Sequence, residues 1–307
     1  MQIAKVSLLL CFVVNLGASS AFAISYVFTP VDVPGSNFTV AFGINDSAQI
    51  VGTFGSQHGF LKSGNSIINI DFPGASSTTP LDINNAGQIV GSYVSDSTFH
   101  GFLRDADGTF STIDAPGPSS FFNQAFGIND VGQIVGRGPQ GFLRDPSGVF
   151  TNFEVAGSII TTPQSINNGG QIVGSFVEDA PPFNPTHAFF RGTDGIISII
   201  DVPDAFLNQA SAEGINDIGQ IVLNSVAGNF VREPNGTFSV IAVPNAIDFG
   251  VRGINNAGQI VGLFSDSTGT HGFLGTPIPE PATWLLLCSG LIGVVLWRRR
   301  QLMGNLR

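Results

Sequence analysis

The body of this chain contains no cysteine: the two present, Cys11 and Cys288, sit in apolar terminal segments. Disulfide staples, thiolate zinc sites and cysteine nucleophiles are thereby excluded from everything between them, and stability has to come from a packed core. Positive charge is nearly as scarce. Residues 24–276 carry 7 Lys and Arg against 21 Asp and Glu, a net charge of −14. Such a surface repels phosphate backbones, so nucleic acid is not an expected partner. Sustained helical periodicity is also missing, while 39 Gly and 18 Pro point to many turns. No nucleophile elbow, phosphate loop, dinucleotide fingerprint or His-Glu zinc motif occurs, so neither a cofactor nor a metal is expected.

What the chain has instead is repetition. The phrase Gly-Ile-Asn-Asp-Ser-Ala-Gln-Ile-Val-Gly at 43–52 returns at 82–91, 127–136, 165–174, 214–223 and 253–262. Its Asn falls at 45, 84, 129, 167, 216 and 255, in steps of 39, 45, 38, 49 and 39 residues. Each period holds four short extended segments bounded by turn residues. In the second copy A ends at Asn84, B is Gln88–Tyr93, C is His100–Arg104 and D is Phe110–Asp114. Asn-Asn-Ala-Gly at 84–87 and its counterparts fit a type I turn closed by a left-handed glycine, with Ala48 a weaker substitute in the first copy. Asp-Ala-Asp-Gly at 105–108 marks a second family of hairpins between C and D.

Four antiparallel strands per roughly 40 residues match a propeller blade. The phase is offset. The chain after residue 24 starts with a lone D segment, Tyr26–Gly35, and ends with A, B and C at Val251–Leu274. The expectation is an all-β, six-bladed β-propeller closed by its N-terminal strand over residues 24–276, which leaves no open sheet edge.

The four histidines, His58, His100, His187 and His271, share one slot before Gly-Phe or Ala-Phe in segment C, where the other copies have Gln140 and Gly228. A ring of metal ligands is one reading; hydrogen bonding within each blade is the favoured one, because equivalent positions in different blades stand too far apart to share an ion. The phrase Asn could belong to a calcium loop, but the next residue is Asp only at 46, 130 and 217 and Asn at 85, 168 and 256, so an Asx-turn role is expected. Asp32, Asp71, Asp114 and Asp201 recur at the end of D, where a turn role is again expected. The longest irregularity is the B–C loop at 175–186, rich in proline and read as a stiff surface projection, a recognition face being the less favoured alternative.

Both ends read as addresses. Residues 1–23 combine Lys5, an apolar run from Val6 to Leu16, and Ala21-Phe22-Ala23, a small-x-small site for signal peptidase. Leu8–Leu10 lack the small residues that a lipidated Cys11 would need. At the other end, Pro279-Glu280-Pro281 precedes an apolar stretch, Trp284–Trp297, and the basic cluster Arg298-Arg299-Arg300. Fourteen apolar residues are short for a span of about 20, though snorkelling arginines extend their reach and should stay cytoplasmic.

This tripartite segment, 277–307, resembles a PEP-CTERM sorting signal, with a tail, Gln301–Arg307, longer than usual. The resemblance implies a Gram-negative exporter, a transmembrane helix that anchors the chain transiently in the inner membrane, recognition by exosortase at Pro279–Pro281, and release to the surface or an exopolysaccharide matrix. An ordinary C-terminal anchor is the alternative. The phrase and the His-Gly-Phe and His-Ala-Phe forms of segment C are similar to extracellular HAF-repeat proteins over residues 25–274, which implies a secreted repeat scaffold. The expected role is therefore a structural or binding module associated with polysaccharide and not an enzyme, the alternative being a propeller glycan hydrolase or lyase.

Overall fold

The computed structural model describes residues 25–278, apart from 56, 118–121 and 245. The signal segment with Ala21 and Ala23, the Pro279–Pro281 motif, the apolar stretch behind it and Arg298–Arg300 lie outside the described residues. Among the described residues no helix is long and apolar enough to cross a membrane.

The described chain forms six four-stranded antiparallel sheets. In five of them the strands follow chain order, as in the first, where Thr39–Ile44, Ile50–Phe54, His58–Ser63 and Ser66–Ile70 run from the inner to the outer edge. The second copy shows how segments A to D become strands: Ser77–Ile83, Ile89–Ser95, Thr98–Arg104 and Phe110–Ile113. In the sixth sheet Asp248–Ile254, Ile260–Ser265 and Thr270–Pro277 are followed by Tyr26–Val31 from the other end of the chain. That last pairing is antiparallel, with Tyr26 opposite Pro277 and Val31 opposite Gly272.

The phrase supplies both the turn and the core. In each A–B hairpin the Asn carbonyl accepts from the residue three positions on, as in Gly87 N to Asn84 O at 3.1 Å. Gly87 has φ +80°, and Ala48 adopts φ +54° in the same place despite its side chain. The Ile-Val of the phrase is buried throughout, as at Ile89, Val90, Ile134 and Val135. Phe60, Phe102, Phe142, Phe189 and Phe273 of segment C are fully buried, each contributing about 2–3 kcal/mol by removal from water.

The glycine that ends the phrase answers to packing: a Cβ on Gly52 would collide with the Val40 carbonyl and stand 2.8 Å from the Phe60 ring. The apolar clusters lie between neighbouring sheets. Val31, Val33, Phe60 and Val261, for example, join the sixth sheet to the first.

Alternating strand direction sorts the connections. The A–B and C–D hairpins lie on one face of the molecule; the B–C hairpins and the D-to-A linkers lie on the other.

Candidate functional site

The site is built from the ends of the six inner strands, and its first layer is the phrase Asn. Asn45, Asn84, Asn129, Asn167, Asn216 and Asn255 are all buried. Each Oδ1 accepts from the backbone N–H of the Gln four residues on, at 2.9–3.0 Å. Each Nδ2 donates to that Gln's Oε1, and also to the carbonyl of the corresponding Asn in the next blade, at 3.0–3.2 Å. The last link runs from Asn255 to Asn45 and completes the circle. The expected Asx-turn role is present, as Ser47 N to Asn45 Oδ1 shows, but the bond between blades is additional.

The next residue forms a second ring nearer solvent, in the order Asp46, Asn85, Asp130, Asn168, Asp217, Asn256. Asn85 Nδ2 donates to Asp46 and Asp130 at 2.8 and 2.9 Å. Asn168 Nδ2 does the same to Asp130 and Asp217, and Asn256 Nδ2 to Asp217 and Asp46. Every backbone N–H in the ring also donates to the side-chain Oδ1 of the next blade. Six carboxylates here would repel and six carboxamides would lack acceptors; alternation gives every N–H of the amides an oxygen. A mouth carrying three carboxylates results. Among the described residues no group of three or more His, Cys, Asp or Glu is placed to hold a metal.

Below the ring each inner strand carries an irregularity in its pairing, so that one residue is skipped between partners such as Ala41 and Gly43, or Ala212 and Gly214. The skipped residues are Phe42, Leu81, Phe126, Gln164, Glu213 and Arg252. These six alone line a cavity of about 180 Å³ on the axis. A bulge leaves its extra residue out of the ladder and re-aims its side chain, and here it aims six of them inward.

The repeat symmetry ends at this level. Three consecutive blades offer Phe, Leu and Phe, and the next three offer Gln, Glu and Arg. Arg252 Nη1 donates to Glu213 Oε2 at 3.0 Å and the guanidinium lies 6.0 Å from the Phe42 ring centre. Arg252 Nε is buried and meets no protein acceptor among the described residues.

One residue further on, four of the blades have glycine, because inner strands approach closely there: a Cβ on Gly43 would lie 2.6 Å from Asp82 Cα. The second blade has Asp82 instead. Its carboxylate accepts from Ile83 N at 2.9 Å and from Ile128 N of the next blade at 3.0 Å. Burial outweighs these two bonds and pushes its pKa up to about 7. Ser165 makes the equivalent link, accepting from Ile215 N at 3.3 Å.

The histidines lie in the third strands, each with a carboxylate of its own blade. His58 faces Asp71 at 3.0 Å, His100 faces Asp114 at 2.7 Å, and His271 faces Asp32 of the N-terminal segment at 3.1 Å. His187 faces Glu178 instead, while Asp201 accepts from Asn208. The turn role expected for the end-of-D aspartates gives way to a bond across strands: Asp71 and Asp114 also accept from Gly59 N and Gly101 N.

The Asp and Asn positions after the phrase Asn were read from the sequence only as an argument against a calcium loop, and the lining residues were not singled out. The signal was available one position before the phrase begins, where the six aligned copies read Phe, Leu, Phe, Gln, Glu and Arg.

Two comparisons bear on this arrangement. A model of the PEP-CTERM protein-sorting motif matches residues 277–300. Among solved structures, virginiamycin B lyase from Staphylococcus aureus is 14% identical over 83% of this chain and 100% of its own, with a TM-score of 0.51. A gluconolactonase from Xanthomonas campestris is 12% identical over 84% of this chain and 92% of its own, with a TM-score of 0.53. At that identity the likeness is one of fold alone. No curated protein matches the chain. The chain thus places a PEP-CTERM protein-sorting motif directly behind a six-bladed all-β propeller.

Proposed function

We propose that this protein is exported by its N-terminal signal, held in the inner membrane by the C-terminal segment, processed by exosortase at Pro279–Pro281, and displayed at the surface or in the matrix as a non-catalytic module that binds polysaccharide. The sorting motif at 277–300 supports the route. The N-terminal strand serves as the closing strand, a reading that rests on its pairing with Thr270–Pro277. The repeats are of HAF type on this reading.

The observation that carries the binding role is where exposed aromatics fall. Phe183 in the B–C loop, which the structure confines to 179–185, and Phe206 in the linker that follows the fourth strand of that sheet are 73% and 71% exposed, and both belong to the face opposite the Asn ring. Phe122, stacked on Phe99 at 5.1 Å, lies on the same face. Loops that vary between repeats carry these rings, and flat apolar surfaces among polar groups suit the faces of sugar rings. A glycan array probed with the released protein tests the role. Binding that Phe183→Ala and Phe206→Ala weaken supports it, and an array without a hit rejects it.

A second reading, a glycan hydrolase or lyase, draws on Asp82 and Glu213, two channel carboxylates without counterparts in the other blades. Glu213 is held by Arg252 and Asp82 by two backbone N–H groups, and a cavity of about 180 Å³ has no room for a chain of sugars. Release of oligosaccharide from a bound glycan, abolished by Glu213→Gln, would favour this reading.

A further inference from the structure

We propose that the axial cavity is a binding site for a small neutral molecule made of one apolar ring and a group that both accepts and donates hydrogen bonds, a primary aromatic carboxamide being the simplest member of the class. Nothing in the polysaccharide reading requires this site, which lies inside the ring of blades.

The volume sets the size. About 180 Å³ is a little more than the roughly 150 Å³ of an apolar cavity that admits benzene, so a single ring with one short substituent fits. The lining sets the orientation. Phe42, Leu81 and Phe126 form a continuous apolar half that receives the ring, and Gln164, Glu213 and Arg252 form the half that receives the substituent.

Arg252 spends one N–H on Glu213, and its Nε is buried out of a ligand's reach. The side chain is nonetheless 35% accessible and lines the cavity, so the remaining N–H groups at the end of the guanidinium are the donors that a ligand carbonyl answers. Glu213 uses Oε2 for the ion pair, and its other oxygen accepts from a ligand N–H. An amide matches this pair of demands with one carbonyl and one NH₂.

Charge selects against the nearest competitors. Arg252 and Glu213 neutralise each other, so the cavity has no net charge for a ligand to balance. A carboxylate would meet Glu213 and the three carboxylates of the mouth, Asp46, Asp130 and Asp217. An ammonium group would suit the mouth, but it has no acceptor atom for the donors of Arg252.

The test uses the full-length chain in detergent, with benzamide, benzoate and benzylamine as probes, followed by saturation-transfer NMR and thermal shift. Benzamide should show saturable transfer from its ring protons and a rise in Tm, with benzoate and benzylamine weaker by about tenfold or more in apparent affinity. Leu81→Trp fills the apolar half. It should abolish the benzamide signal while the variant still unfolds in one transition.

Where that variant fails to fold, Gln164→Leu provides the second arm, removing a polar partner without adding volume; benzamide affinity should fall and benzylamine binding stay unchanged. Absence of saturable benzamide binding to the unsubstituted chain overturns the proposal. So does a benzamide response that survives in folded Leu81→Trp, or equal affinity for all three probes. Failure of glycan binding leaves these outcomes unaffected, so the two readings fail separately.

Discussion

Replacing Asn84 by Asp changes one NH₂ to an oxygen and nothing else in shape, and the ring of asparagines makes that change expensive. Asn84 Nδ2 donates to Gln88 Oε1 at 2.9 Å and to the Asn129 carbonyl at 3.1 Å. In Asn84→Asp both contacts become oxygen against oxygen. Gln88 cannot turn its amide over freely to help, because its Nε2 already donates to Asp105 at 2.8 Å.

Two buried groups left unanswered cost about 1–3 kcal/mol each, and a buried charge without a partner costs about 3–5 kcal/mol. Since these overlap, the expected loss at pH 8 is about 4 kcal/mol. For a domain of this size that lowers Tm by roughly 10 °C. The new carboxyl is held protonated by its surroundings, so its folded pKa lies above its unfolded value and the penalty grows as pH rises. At pH 5 the carboxyl retains a proton to donate, one of the two contacts survives, and the loss shrinks to about 1–2 kcal/mol.

Urea unfolding of wild type and variant side by side at pH 5 and pH 8 measures this, the wild type correcting for other titrating groups. A loss below about 1 kcal/mol at both pH values would refute a hydrogen-bonded ring and would suit a calcium loop, where an added carboxylate is welcome.

Other expectations are as direct. Asp82 has its pKa raised by burial to about 7, so the folded chain holds this proton where the unfolded chain has lost it, and stability should fall as pH rises from about 4 to about 7. The slope is about 1.4 kcal/mol per pH unit at most. Asp82→Asn should flatten that part of the pH profile in urea titrations, and an unchanged profile would show that the two backbone bonds dominate. Ala48→Gly should stabilise by about 0.5–1 kcal/mol, because it relieves a side chain at φ +54°; a loss of stability on melting would contradict the turn geometry. Deleting residues 24–36 strips the outer strand from the sixth sheet and Asp32 from His271, so the whole domain should melt earlier in a single transition. Local fraying with an unchanged main transition would refute ring closure.

The blades were legible because turn chemistry is explicit. Asn-Asn-Ala-Gly and Asp-Ala-Asp-Gly dictate hairpins whatever the surroundings, and spacing near 40 residues then counts the blades. Contacts between blades were not legible. The Nδ2 of Asn45 bonds a residue 39 positions away, and no local pattern says that a turn asparagine has a second duty across a gap.

The same holds for Asp71. It sits where a turn residue belongs, and only the register of the third and fourth strands brings it to His58. Gly43 and Gly52 look alike in the phrase yet answer to different neighbours, Asp82 of the next blade and Phe60 of the same one. The axial lining escaped because a bulge breaks the two-residue alternation that identifies which side of a strand is buried.

The pairing of Tyr26–Val31 with Thr270–Pro277 also bears on the order of events during folding. Each of the first five sheets is contiguous in sequence and can form from its own segment alone, but the sixth needs strands from both ends of the described chain. The longest-range contact is then the final one, and such contacts are slow to form. Pro277 is both the last residue of that sheet's third strand and the first of the matched sorting motif, so Tyr26–Val31 stays without its partner until the chain bordering the sorting signal has folded.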